Sequence, residues 1–193
     1  MITLGVNAAF HDSAAALVID GKTVAAAEEE RFTRVKHGKR PVPFTAWELP
    51  FHAMDFCLDH AGLTLAEVDH VAYSFQPSLF IGDRLPQDPP EGATLALPLD
   101  PVKQGPGDWE NPWDPLFAAY VLNAPRQLAD GAPLRLHKRL NMAAAASVPY
   151  HWHFVPHHLC HQASAFLAAP WDHCGVMTLD GRGGRGTTCH RRY

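Results

Sequence analysis

The sequence predicts an α/β fold from three features: short apolar runs at its start, a helical apolar stripe after a proline break, and a further apolar run directly behind it. Ile2 to Ala8 reads as a buried strand and Ala14 to Asp20 as a second. Gly21-Lys22 supplies the turn of a hairpin, and Thr23 to Ala27 returns as a third strand. Glu28-Glu29-Glu30-Arg31 then leaves the sheet as a charged exit. Pro41-Val42-Pro43 interrupts the chain before a helix from about Trp47 to Ala61, with Phe51, Met54, Phe56, Leu58 and Ala61 as its apolar stripe. Gly62 is placed to cap that helix, and Thr64 with Glu67 has the spacing of a capping box. Val68 to Phe75 follows as the next strand.

Residues 76 to 115 are rich in proline, glycine and aspartate, lack periodicity, and read as a long surface excursion of the kind that contacts substrate or a second domain. Leu116 to Ala129 and Arg135 to Ala146 are predicted helices, His153 to Val155 a short strand and Leu159 to Ala168 a helix. Cys174 to Leu179 reads as a buried strand ending at Asp180, before a turn built from Gly181, Gly183, Gly184 and Gly186. An antiparallel hairpin beginning at residue 2 also opens the ATPase fold shared by sugar kinases, actin and heat-shock chaperones, an analogy of topology.

The 193 residues, 47% hydrophobic and 19% charged, suffice for one sizeable core or most of two small ones. A net charge of −4 and a pI near 6.3 give no general attraction to nucleic acid or to acidic membrane surfaces. No apolar run approaches the roughly 18 residues of a membrane span, and the N-terminus has no basic segment ahead of an apolar one, so neither a span nor a secretory signal is expected. Cys57, Cys160, Cys174 and Cys189 show no Cys-x-x-Cys pairing, which predicts free thiols in a reducing cytoplasm.

Four segments carry chemistry-bearing residues. In Pro156-His157-His158-Leu159-Cys160-His161, the imidazoles of His157 and His161 share a helix face and can bind one metal ion; His158 and His161 could do nearly the same. Asp180, at a strand end, is a sensible third ligand. The alternative is a run of partly buried histidines with hydroxyl or backbone partners. Asp180 to Thr188 places a carboxylate before a glycine turn whose N–H groups could approach phosphate, with Thr187 and Thr188 as hydroxyl donors. A plain tight hairpin explains the same glycines. In Asn7 to Ser13, His11 could act as general base with Asp12 orienting it, and Ser13 could contact phosphate; a polar turn is the alternative. In Glu28 to His37, Arg31 or Lys36 could hold a phosphate, or the charges could form a solvated network.

In this order and with these gaps, Asn7–Leu17, Ala26–His37, His157–Phe166 and Val176–Thr188 resemble the carbamoyltransferase family, which includes nodulation protein U and antibiotic-tailoring O-carbamoyltransferases. The resemblance rests on His11-Asp12-Ser13-Ala14, Ala27-Glu28-Glu29-Glu30-Arg31-Phe32, Lys36-His37, the His-His-Leu-x-His-x-x-Ser-Ala-Phe run from His157, and Asp180-Gly181-Arg182-Gly183. It implies an actin-like ATPase (ribonuclease H-like) domain, a metal held by His157, His161 and Asp180, and a further aspartate ligand beyond Tyr193. The metal implied is Fe2+, with Zn2+ as the alternative.

The resemblance also implies ATP as co-substrate, carbamoyl phosphate as donor, a hydroxylated small molecule of secondary metabolism as acceptor, and a homodimer in the full-length protein. A C-terminal domain forms carbamoyl-adenylate, and the N-terminal domain transfers the carbamoyl group. His11 is then the expected base with Asp12 beside it, and Ser13, Arg31, Lys36, Gly181, Gly183, Thr187 and Thr188 the expected phosphate contacts. Gly184 and Arg185 depart from the family's acidic and aromatic pair, and Cys189 to Tyr193 does not follow its continuation. The chain is therefore expected to be an incomplete domain, inactive or weak alone. The rival readings are a zinc hydrolase built on the same ligands and a non-catalytic remnant.

Overall fold

A computed structural model describes residues 1–9, 12–38, 49–81, 117, 121–122, 124–130, 148–183 and 186–192. Three strands open the chain, β1 (Ile2–Asn7), β2 (Ala14–Ile19) and β3 (Lys22–Glu28), followed by a short helix α1 (Glu30–Thr33). Helix α2 (Phe51–Ala61) leads to β4 (His70–Tyr73) and α3 (Pro77–Ile81). Helix α4 (Ala124–Asp130), β5 (His151–Phe154), α5 (His157–Leu167), β6 (Gly175–Gly183) and β7 (Gly186–Arg192) complete the described elements.

The first five strands form one mixed sheet in the order β3-β2-β1-β4-β5, and β6 pairs with β7 in a separate hairpin. β1, β2 and β3 run antiparallel in sequence, whereas β4 joins β1, and β5 joins β4, in parallel. The C-terminal ends of β1, β4 and β5 therefore share one edge of the sheet.

Alternation decides what each face packs against. Leu4, Val6, Ala15, Leu17, Val71 and Tyr73 are buried on one face. Helix α2 covers the β2 and β3 part of that face with Ala53, Met54, Cys57 and Leu58. Burial pushes the Tyr73 phenol far above its ordinary pKa, so it stays neutral in this core. The opposite face carries small residues. Gly5, Ala14, Ala16 and Ala72 line an open groove of about 1310 Å³, walled on its far side by Leu159 and Ala163 of α5.

Several predicted boundaries move. The helix predicted from Trp47, α2, begins at Phe51 because Pro50 sits at its N-cap, and a residue before proline is driven from helical to extended backbone; Trp47 lies outside the described residues. Phe56 is 43% exposed and not part of the buried stripe. It lies against Phe32 and His60 instead. The predicted strand Val68–Phe75 contracts to His70–Tyr73, and the strand at His153–Val155 shifts to His151–Phe154. The helix expected from Leu159 starts at His157, directly behind Pro156. Pro77–Ile81 forms a helix inside the stretch read as an irregular excursion; residues 82–115, and Arg135 to Ala146, lie outside the described residues.

The strand predicted as buried over Cys174–Leu179 is corrected most. Met177 and Leu179 are 65% and 72% exposed, because among the described residues β6 pairs with β7 alone and nothing covers that face of the hairpin. All four cysteines are free thiols. Among the described residues no helix is long and apolar enough to cross a membrane.

Gly62 and the capping box form as expected. Gly62 adopts φ 66°, its N–H reaches the Asp59 carbonyl, and the Leu63 N–H reaches that of Leu58 at 3.0 Å. Glu67 accepts from the Thr64 N–H at 2.8 Å and from its hydroxyl at 2.9 Å. A Cβ at Gly62 would meet nothing within 4 Å, so Gly62→Ala isolates the backbone effect. It is expected to cost about 1 kcal/mol, read as a lower urea midpoint at unchanged slope.

Candidate metal centre

Helix α5 starts one short step beyond the end of β5, which sets its first turn on the sheet's C-terminal edge. His157 and His161 stand one turn apart there, with ring centroids 4.6 Å from each other. Asp180 arrives from β6, which packs against α5. Its Oδ2 lies 2.7 Å from His157 Nε2 and 3.4 Å from His161 Nε2, and the two Nε2 atoms are 3.1 Å apart. Donor atoms sharing one ion at about 2.1 Å each stand roughly 3 Å from one another. The three separations fit that requirement, and two imidazoles with one carboxylate suit Fe2+ or Zn2+.

The surroundings orient the donors. Nδ1 of His157 faces the Ser74 carbonyl at 3.2 Å. A carbonyl only accepts, so Nδ1 carries the proton and the neutral ring presents its Nε2 lone pair to the ion site. Ser74 follows β4 directly, so the sheet itself sets this ring. His158 points elsewhere: its Nδ1 lies 2.8 Å from the Thr178 hydroxyl, which also reaches the Cys189 carbonyl. Of the two histidine pairings the spacing allows, the structure selects His157 with His161.

A second group of donors, Asp12, Glu30 and His37, also places its ligand atoms within 4.8 Å of one another. Asp12 Oδ1 lies 2.8 Å from His37 Nδ1, and Glu30 accepts the His37 N–H at 2.7 Å. The Asn7 amide holds the Asp12 carbonyl at 2.8 Å, and the Ser74 hydroxyl donates to Asn7 at 2.6 Å. Asn7 and Ser74 thus connect the two groups across the ends of β1 and β4.

Residues 2–130 match the family described as carbamoyltransferase N-terminus. The chain belongs to that family. Among curated relatives, the uncharacterized protein sll1178 of Synechocystis sp. is 34% identical over 190 residues, 96% of this chain and 26% of its own length. Nodulation protein NolNO of Sinorhizobium fredii is 29% identical over 178 residues, 92% of this chain and 20% of its own. The chain thus spans about a quarter or less of these relatives. An uncharacterized 19.2 kDa protein in the syrM 5′ region of Rhizobium etli is 39% identical over 67 residues, 35% of this chain and 34% of its own. Among solved structures, YeaZ from Pseudomonas aeruginosa is 18% identical over 44% of this chain and 35% of its own, at a TM-score of 0.26, and adds nothing to the fold assignment.

The other expected site residues of this carbamoyltransferase N-terminus are scattered. His11 lies outside the described residues. Ser13 is buried, and its carbonyl accepts the Glu29 N–H at 2.9 Å. Arg31, 67% exposed, pairs with Glu28 at 2.8 Å and Glu30 at 3.9 Å, contacts of little energy at such exposure. Lys36 opens the 3-10 turn that contains His37. Gly181 and Gly183 lie in β6 and Thr187 and Thr188 in β7, with Gly183 paired to Gly186, so the expected glycine turn is largely strand.

Sequence reading assigned no role to His37 or Ser74. Polar residues directly after apolar strands are the signal that points to Ser74. His37 stands beside Lys36, with nothing local to show its partner.

Proposed function

We propose that this chain is the N-terminal part of a metal-dependent, ATP-using O-carbamoyltransferase with an actin-like ATPase fold. On this reading the carbamoyl group of carbamoyl phosphate passes through carbamoyl-adenylate to a hydroxyl of a small-molecule acceptor. The adenylate-forming domain belongs to sequence these 193 residues do not contain. The observation that carries the reading is the convergence of His157, His161 and Asp180 on one point, in a chain of the carbamoyltransferase N-terminus family.

His157, His161 and Asp180 would hold Fe2+ or Zn2+, and a bound ion there supplies Lewis-acid polarisation of a carbonyl and an anchor for phosphate oxygens. Ser74 keeps His157 in the tautomer that presents Nε2. The groove beside the centre, lined in part by Ser74 and Cys160, would seat the acceptor. On the same reading Arg31, Lys36, Ser13, Thr187, Thr188 and the backbone at Gly181 and Gly183 would contact phosphate, and His11 would act as base toward the acceptor hydroxyl with Asp12 orienting it.

The test is a transfer assay. Given Fe(II), carbamoyl phosphate, ATP and a panel of hydroxylated acceptors, the protein as its gene encodes it is expected to form a carbamate ester only when both phosphate compounds are present. The 193 residues alone are expected to give trace product at most. Hydrolysis without ATP would instead identify a metal hydrolase. A protein that binds neither metal nor nucleotide would be a non-catalytic remnant.

A further inference from the structure

The geometry points to a second metal site, in which His70, His151 and His153 hold a nitrogen-preferring divalent ion such as Ni2+ or Cu2+ and tie β5 to β4. It stands independently of the transfer reading above, and it shares no residue with the centre at His157, His161 and Asp180.

Alternation along β4 and β5 gathers the three rings. Val71 and Tyr73 are buried, and Trp152 and Phe154 pack against Tyr73 with ring centroids 5.6 and 5.9 Å away. Successive side chains on a strand take opposite faces, so His70, His151 and His153 share the other one. Register completes the grouping: His70 lies beside His151, and His153 follows two residues further along the same strand. Neighbouring strands run about 4.8 Å apart and two residues advance a strand by about 6.6 Å, within reach of three imidazoles meeting above that face.

Two donors already stand at the right separation. Nδ1 of His70 and Nε2 of His153 are 3.0 Å apart, the spacing of two nitrogens that share one ion at about 2.1 Å. The His153 ring centroid lies 5.1 Å from that of His70, and the His151 centroid 5.7 Å from it on the neighbouring strand. His151 and His153 are exposed, so a turn about the His151 side-chain torsions brings its nitrogen to the pair without disturbing the core. Exposure also leaves the remaining coordination positions open to water.

The donor set selects the ion. Three imidazoles with no carboxylate among them suit nickel, copper and zinc, and affinity at a nitrogen site rises along the first row from Fe2+ through Ni2+ to Cu2+. Fe2+ is therefore left to the carboxylate-bearing centre. The consequence is mechanical. Among the described residues β4 is the strand partner of β5, and Val155 and Pro156 are all that separate β5 from the helix that carries His157 and His161. An ion shared by His70 and the two β5 histidines fixes the start of β5 on β4, and so steadies the strand that leads into the first centre.

The test uses Ni2+ as probe, titrated by calorimetry into the protein as its gene encodes it. His70→Gln and His153→Gln are each expected to bind one equivalent fewer than wild type, and His151→Gln to bind that equivalent at least about 10-fold more weakly. His161→Ala should retain it, which separates this site from the first centre. Ni2+ should also raise the urea midpoint of wild type by more than that of His70→Gln or His153→Gln. A measurement on wild type alone stands beside the variants: paramagnetic Ni2+ should broaden the ring resonances of His70, His151 and His153 together. Unchanged stoichiometry in both His70→Gln and His153→Gln, or ring resonances of these three that stay sharp at saturation, would overturn the proposal and leave a hydrogen bond between two surface imidazoles.

Discussion

Asp180→Asn and His161→Ala are each expected to weaken Fe(II) or Zn(II) binding by more than about 100-fold, measured by titration calorimetry under anaerobic conditions. Loss of a supporting hydrogen bond at a metal site commonly costs about 10- to 100-fold, and removing a ligand removes more. Among the described residues two imidazoles and one carboxylate converge, so each is a third of those donors and Asp180 brings their negative charge. His158→Ala is the control, because its Nδ1 meets the Thr178 hydroxyl. It should leave affinity within about twofold of wild type. The same variants separate in thermal melts. A ligand at a hundredfold excess over its dissociation constant stabilises the folded state by about 2.7 kcal/mol. Added Fe(II) should therefore raise the wild-type midpoint and that of His158→Ala, and leave Asp180→Asn unmoved. Equal binding by all four proteins would place the ion elsewhere.

Glu29→Ala is expected to destabilise the fold by about 3 kcal/mol, seen as a lower urea midpoint. Glu29 follows β3 and is 9% exposed, yet it carries a carboxylate. That carboxylate accepts the Ala53 N–H at 2.9 Å, the His52 N–H at 3.4 Å and the His52 ring. Pro50 gives α2 no side-chain cap, so Glu29 caps the helix from a distance of more than twenty residues and sets a negative charge at its positive end. Truncation leaves those donors unsatisfied beside the core. It also unties α2 from α1, which begins at Glu30. Glu29→Gln keeps one acceptor oxygen and should lose roughly half as much. A change below about 1 kcal/mol in Glu29→Ala would show that water replaces the carboxylate freely.

Much of the fold was legible because it is encoded locally. The apolar run from Ala14, closed by the turn at Gly21-Lys22, reads as a strand before any partner is known. Phe56 shows the limit of periodicity. It belongs to the apolar pattern of its helix, yet the face that meets β2 and β3 is centred on Ala53, Met54, Cys57 and Leu58. Cys174 to Leu179 shows another: an apolar run announces a strand but not what covers it, and with β7 its one strand partner among the described residues Met177 and Leu179 face outward. In the candidate site, the pairing of His157 with His161 was readable from their spacing, whereas the choice against His158 needed Thr178 in place.

By itself the sequence determined the opening strand meander, the caps at Gly62 and Thr64, the free thiols and the helical pair of imidazoles. Each depends on dihedral preferences, hydrogen bonds or spacing within a few residues of chain. The tertiary structure alone decided that Asp180 reaches that pair from a separate hairpin, that Ser74 orients His157 across 83 residues, and that Asp12 meets His37 across 25. Those contacts depend on which strands lie side by side and where their ends align. Hydrogen bonding between distant backbones sets that alignment, and no local pattern specifies it.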